Sequence, residues 1–307
     1  MLLKFAIKDY LAEKEYNNLS DQTIETYATT LNEFQAFCAA QEVVDVDDVS
    51  STLIKSYLLH CQKERGNNAT TRNGKFRRIK IFFNYLENEE IIDAKKSPIR
   101  KLSYVREDIK IEAFTDYQIN QMLNYFRRVR NRGRTFRYYR DYSIVIFLLG
   151  TGIRLGELVN LKWNDINFKT QVVTVWGKKR EQSSIPITNK LAKELAEYKA
   201  FSEQYFGKLS EYVFPSETTN KQMTVEGVKS MFQRLKVAMN FSDVRLSAHT
   251  FRHTFAHRCL MAGMDIFSLQ KMLRHSNLAM TQKYLSIWGT ALKSQNDLYN
   301  PLNDIQL

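Results

Sequence analysis

Thr151-Gly152-Ile153-Arg154-Leu155-Gly156-Glu157-Leu158 and, far downstream, His249-Thr250-Phe251-Arg252-His253-Thr254-Phe255-Ala256 decide how this 307-residue chain is read. Each box carries one arginine in an otherwise apolar or small-residue setting. Between them, Gly177-Lys178 lies in a polar turn, and after them Leu273-Arg274-His275-Ser276 precedes Tyr284. Arg154, Arg252, Lys178, His249 and His275 together are two guanidiniums, an ammonium and two imidazoles, a donor set suited to one phosphate oxyanion. An arginine offers a planar fork of donors and stays protonated at any workable pH, so two of them can grip and neutralise non-bridging oxygens without a metal. Tyr284 supplies a hydroxyl able to attack the phosphorus.

These five boxes, in this order, resemble the catalytic domain of the tyrosine recombinases, the phage-integrase and Xer-type DNA strand-exchange enzymes. Thr151–Leu158 is close to that family's TGxRxxEL box, and the matches span residues 151–284. The resemblance implies that Tyr284 is the nucleophile and forms a 3′-phosphotyrosyl link. Such a link stores the energy of the broken bond, so a second DNA end can reverse it without ATP. Lys178, on a turn and open to tuning by neighbouring cations, suits the general acid that protonates the 5′-oxygen. The resemblance further makes His249 and His275 hydrogen-bond partners of the phosphate and acceptors of the tyrosine proton, with Glu157 orienting the network. Neither a metal nor a cofactor is expected. Two positions depart from the family pattern. Arg274 stands where glycine is common before the second histidine, placing a cation beside the site that is read as a DNA contact. Phe251 replaces a frequent leucine, an apolar exchange of little consequence.

Other readings compete for the same residues. Tyr284 has fifteen tyrosine rivals, and Tyr299 is the nearest, but it lacks the upstream His-Ser box. His249, His253 and His257 follow i, i+4, i+8 spacing, which would suit a metal-dependent nuclease. The ordinary reading of His253 and His257 is packing or hydrogen bonding, since no carboxylate in this segment completes a ligand set. A type IB topoisomerase shares the chemistry, and a DNA-binding regulator shares the charge.

The formal net charge of +12 and pI near 9.4 favour a polyanionic partner. Residues 1–107 balance 16 basic against 16 acidic side chains, so residues 108–307, with 29 against 17, supply the excess. Even so, the stretch 55–80 is strongly basic. Arg72, Lys75 and Arg78 on a helix over 70–86 are read as groove contacts. In the run 127–140, arginines interleaved with Phe126, Phe136, Tyr138 and Tyr139 are read as phosphate contacts led by Arg127 and Arg128. The scattered Cys38, Cys61 and Cys259 argue against disulfides or a cysteine-based zinc site and fit a reducing cytoplasm. Lys4 and Lys8 interrupt the N-terminus, so no signal peptide is expected, and the longest apolar stretch, Ile144 to Leu149, is too short to span a bilayer.

The expected architecture is mainly α with a small antiparallel β-sheet. A helical core-binding domain over 1–107 is followed by an α/β catalytic domain over 108–307, the two closing on duplex DNA. Ser20-Asp21-Gln22-Thr23 begins a helix carrying Ile24, Tyr27, Leu31, Phe34 and Phe37, and a second helix fits 51–65. Pro98 marks the expected linker. Val172–Trp176 and Ser183–Ile187 flank a Gly-led polar turn as a hairpin. By resemblance, the protein works as a tetramer on two DNA sites, with accessory DNA-bending proteins as further partners. Its tail, 290–307, with Leu292, Leu298 and Leu302, is read as docking on a neighbour.

Overall fold

The computed structural model describes residues 1–107, 110–133, 135–177, 182–287, 296, 298 and 300. The chain divides into two compact units, Met1–Ile109 and Lys110–Leu307.

The first unit consists of α1 (Leu3–Tyr16), α2 (Asp21–Ala39), α3 (Ser51–Lys63) and α4 (Ala69–Asn88). Helix α3 starts where the Ser50 hydroxyl accepts the Leu53 N–H, and α4 where the Asn68 amide oxygen accepts the Thr71 N–H. Leu3, Ala6, Ile7 and Tyr10 turn one stripe of α1 inward, and Phe34, Tyr57, Phe76, Phe82 and Phe83 fill the centre. Burying each such side chain stabilises the unit by roughly 1.5–3 kcal/mol. The stretch around Pro98 is not the free linker its composition suggests. Ile99 belongs to the core, the Ser51 hydroxyl donates to the Pro98 carbonyl at 2.5 Å, and Asn73 exchanges hydrogen bonds with the Val105 backbone at 2.8 and 2.9 Å. Proline ends the helical pattern here without ending the packed unit.

The second unit is built from α5 (Asp116–Gly133), α6 (Phe136–Thr151), α7 (Leu155–Asn160), β1 (Ile166–Asn167), β2 (Val172–Trp176), β3 (Gln182–Pro186), α8 (Asn189–Phe206), α9 (Val225–Met239), α10 (Ala248–Met261), α11 (Ile266–Leu273) and α12 (Leu278–Ile287). The three strands form an antiparallel sheet in the order β1-β2-β3, with Val173 opposite Ile185 and Trp176 opposite Gln182. Val173, Val175 and Ile185 face the core, as a two-residue period requires. The hairpin matches the expected one. The short β1 strand has no sequence signature of its own, because two residues are too few to show alternation.

Helix α6 runs through the middle of this unit, with Ile144, Val145, Phe147 and Leu148 fully buried. It ends at Gly152, whose φ of +57° reverses the chain into α7, while the Thr151 hydroxyl caps back onto the Phe147 carbonyl at 2.6 Å. A Cβ on Gly152 would lie 2.7 Å from Phe255 Cδ1 and 3.2 Å from Leu273 Cδ2. Gly152→Ala therefore combines a left-handed backbone with overpacking and is expected to lower stability by roughly 2–4 kcal/mol, read as a drop in the thermal midpoint of the full chain.

The arginine run of α5 and α6 is not one surface. Arg130 is held over the rings of Tyr139 and Tyr142, at 5.0 and 4.9 Å from their centroids. Arg140 is buried on Asp141 and the Pro215 carbonyl, and Arg137 pairs with Glu217. Arg127 and Arg128 are exposed. No helix among the described residues is long and apolar enough to cross a membrane.

Candidate active site

The boxes meet where the N-terminus of α7, one face of α10, the C-terminal end of α11 and the outer turns of α12 converge. Arg154 precedes α7 in extended conformation. Its backbone N–H and its Nη1 donate to the two oxygens of Glu157, at 3.0 and 2.9 Å. Arg252, 4% exposed on α10, reaches back to the turn that ends α6 and donates Nη1 to the Gly152 carbonyl at 2.7 Å.

The last carbonyls of a helix lack intrahelical partners and carry partial negative charge. At the end of α11 three arginines supply what is missing. Arg274 donates Nη1 to the Met272 carbonyl at 2.8 Å, Arg252 donates Nη2 to that of Leu273, and Arg154 donates Nη2 to that of Arg274 at 2.6 Å. Arg274 is the left-handed C-cap of α11, φ +54°, which explains why glycine suits this position. The sequence marks its side chain as a DNA contact, whereas here that side chain turns inward. It is 9% exposed and bonded through Nη2 to Glu157 Oε2 at 2.6 Å. Glu157 thus serves two guanidiniums, and the group as a whole keeps an excess of positive charge.

Burial alone would raise the Glu157 carboxyl, but Arg274 and Arg154 outweigh it and hold it below the ordinary carboxylate range. Burial lowers the guanidinium of Arg274, and it brings Arg252 down to about 10 with help from Arg154 and Arg274. Both remain charged at neutral pH. Because the folded carboxyl titrates below its unfolded value of about 4.3, its contribution is full above that pH and fades as pH falls through the folded value. Glu157→Gln is expected to cost up to about 3–5 kcal/mol at neutral pH, because Arg274 is left as a buried uncompensated charge. The deficit should shrink below pH 4 in a series of thermal melts.

Two histidines, His253 and His275, flank the tyrosine, and His249 adjoins the first of them. His249 and His253, one helical turn apart on α10, touch edge to face with ring centroids 4.1 Å apart. Tyr284, 3% exposed on α12, packs among Phe255, Leu269 and Leu273, with its hydroxyl 2.9 Å from His253 Nδ1. The His275 ring lies nearly parallel to it at 6.3 Å, its Nδ1 paired with the Thr281 hydroxyl at 2.8 Å. Burial pushes His253 down to about 4, reinforced by His249 and Arg252, and pushes His275 to about 4, reinforced by Arg252, Arg154 and Arg274. His249 is lowered by burial and then by Arg252 and Arg245. Burial raises the Tyr284 phenol against the pull of Arg252. At neutral pH these imidazoles are neutral and the phenol keeps its proton. In the Nε2–H tautomer of His253 the phenol donates and Nδ1 accepts.

Arg154, Glu157, His249, Arg252, His275 and Tyr284 are thus gathered in one place. Lys178 lies outside the described residues, as does the tail over 290–307 apart from residues 296, 298 and 300. His253, which the sequence assigns to packing or hydrogen bonding, joins the site, and its spacing from His249 is the signal that puts both rings on one face. In the first unit, Arg72 donates to Gln62 at 2.7 Å, Lys75 is paired with Glu33, and Arg78 reaches Thr30 at 3.3 Å. Arg127 lies 3.4 Å from the Asn124 amide oxygen.

Residues 112–288 match the phage integrase family, and residues 2–104 match the phage integrase SAM-like domain. The chain belongs to the phage integrase family. Among relatives in that family, a tyrosine recombinase of Pseudothermotoga lettingae is 29% identical over 283 residues, covering 91% of each chain. Tyrosine recombinase XerC of Leptospira interrogans serogroup Icterohaemorrhagiae serovar copenhageni is 27% identical over 276 residues, 90% of this chain and 86% of its own. The fold is also that of integrases of known structure. The Tn1549 transposon integrase in complex with transposon right end DNA superposes with a TM-score of 0.76 at 20% identity, over 92% of this chain and 94% of that one. A lambda integrase dimer bound to a COC′ core site gives 0.73 at 16% identity, over 91% and 97%. The fold class read from the sequence, mainly helical with a small antiparallel sheet, is the one these integrases share.

Proposed function

We propose that this member of the phage integrase family is a site-specific tyrosine recombinase that cuts and rejoins duplex DNA through a 3′-phosphotyrosyl intermediate. The observation that carries the proposal is the Tyr284 phenol, its ring buried in the core and its hydroxyl hydrogen-bonded to His253, with Arg252 and His275 beside it. In the cleavage step the Tyr284 oxygen bonds to phosphorus and the bond to the 5′-oxygen breaks. Arg154 and Arg252 stabilise the charge gathering on the non-bridging oxygens, His249 and His275 add hydrogen bonds to them, and Lys178 protonates the departing oxygen. Glu157 and Arg274 act behind them by holding Arg154.

Backbone contacts from Arg127 and Arg128, and from Arg72, Lys75 and Arg78 on α4, supply affinity that salt weakens. If the α4 residues touch DNA, Arg72→Ala with Arg78→Ala will lower affinity in a salt titration, and unchanged binding retires that part. Assembly is proposed as four protomers on two sites.

The test is a nicked suicide substrate built on a site the protein binds. The wild type should accumulate a denaturant-stable DNA adduct whose peptide maps to Tyr284. No adduct at a bound site, or an adduct on another residue, overturns the reading. Relaxation of supercoils without exchange between two sites would assign the same chemistry to a topoisomerase instead.

A further inference from the structure

The resemblance offers His249 and His275 as acceptors of the Tyr284 proton, yet the phenol is hydrogen-bonded to His253 instead. Three imidazoles stand near this tyrosine, and they are engaged differently. His275 has its Nδ1 on Thr281, and its ring lies flat beside that of Tyr284, its centroid 6.3 Å away. His249 meets the edge of His253. His253 alone of the three has a hydrogen bond to the phenol, at 2.9 Å, with the two rings inclined at 70° and their centroids 5.5 Å apart. With His253 in its Nε2–H tautomer, the phenol proton points at a neutral imidazole nitrogen, and the nucleophile needs no rearrangement to lose it.

We propose that His253 is a catalytic residue of the cleavage step, the acceptor that takes the phenol proton as Tyr284 bonds to phosphorus. The assignment rests on Tyr284 being the nucleophile. The proton passes from the tyrosine oxygen to His253 Nδ1, the new O–P bond forms with the electron pair left behind, and the 5′-oxygen leaves with a proton from the general acid. In the reverse step, Nδ1 returns the proton to the phenol as the second DNA end displaces it. The groups facing this nitrogen are His249 and Arg252 from its own helix, Tyr284 from α12, and His275 from the connection between α11 and α12. Burial, reinforced by His249 and Arg252, holds the imidazole neutral in the free protein, and the negative charge of a phosphodiester seated among the arginines opposes this and raises its proton affinity.

The test measures single-turnover adduct formation with the suicide substrate, together with DNA affinity and the thermal midpoint. His253→Leu, close in volume, and His253→Asn, whose amide can hold the phenol but cannot take up a proton, should each slow the step by about 10²-fold or more while binding DNA as the wild type does. Installing a fluorinated tyrosine at 284, with a phenol acidic enough to be ionised near neutral pH, should shrink that penalty by at least about tenfold. Full activity in either variant, or a penalty that the fluorinated phenol leaves unchanged, overturns the assignment and makes His253 a packing neighbour. Adducts that form on a residue other than Tyr284 would instead sink the underlying reading of the nucleophile.

Discussion

Tyr284→Phe is expected to form no covalent complex with DNA while keeping wild-type fold and affinity. The ring contributes its packing on Phe255, Leu269 and Leu273 whether or not it bears a hydroxyl, so the core contact survives the change. What disappears is one hydrogen bond, leaving His253 Nδ1 without the phenol, at a net cost of about 1 kcal/mol. The chemical consequence is total, because the attacking oxygen itself is removed. Band-shift affinity and the thermal midpoint should therefore match the wild type, while the denaturant-stable adduct on a suicide substrate vanishes. Adduct formation by the variant would exclude Tyr284 as the attacking group.

Arg252→Ala should separate the two kinds of work this arginine performs. Losing a transition-state donor of this kind costs about 2.7–4 kcal/mol, or 10²–10³ in the rate of cleavage. The structural loss is smaller than the contacts suggest. The Gly152 and Leu273 carbonyls lose their partners, at about 1–3 kcal/mol each. Removing a cation that burial already disfavours offsets part of this. Arg252→Lys keeps the charge but cannot span both carbonyls and a phosphate at once, so it should recover stability without recovering the rate. Single-turnover cleavage set beside thermal melts distinguishes these outcomes. A lysine variant that cleaves at the wild-type rate would show that charge alone suffices.

Much of this molecule is legible in its amino acids because periodicity survives folding. The helices over 21–39, 51–63 and 69–88 announce their buried faces at three- and four-residue spacing, and the strands Val172–Trp176 and Gln182–Pro186 announce theirs at two. The order of the arginine, histidine and tyrosine boxes was enough to gather the site. Pairings that depend on distant backbone were not legible. Nothing local to Arg252 says that its partner is a carbonyl a hundred residues earlier, and nothing local to Arg274 says that its side chain turns inward to Glu157. Composition likewise cannot separate the stacked Arg130 and the buried Arg140 from the exposed Arg127 and Arg128, because the four share one basic run. Pro98 misleads for a related reason, since a broken helical pattern carries no information about what the following residues pack against.

The convergence of three guanidiniums on the last carbonyls of α11 ties Arg154 and Arg252 to a single eight-residue element. The two grips proposed for one phosphate thus share one hinge pin. A shift of that short helix by an ångström re-aims both at once, whereas no adjustment of α7 or α10 alone can do so. The geometry sets the tolerance of the entire cradle at one joint, and neighbouring sequence around residues 266–273 will govern it even where it never meets a nucleotide.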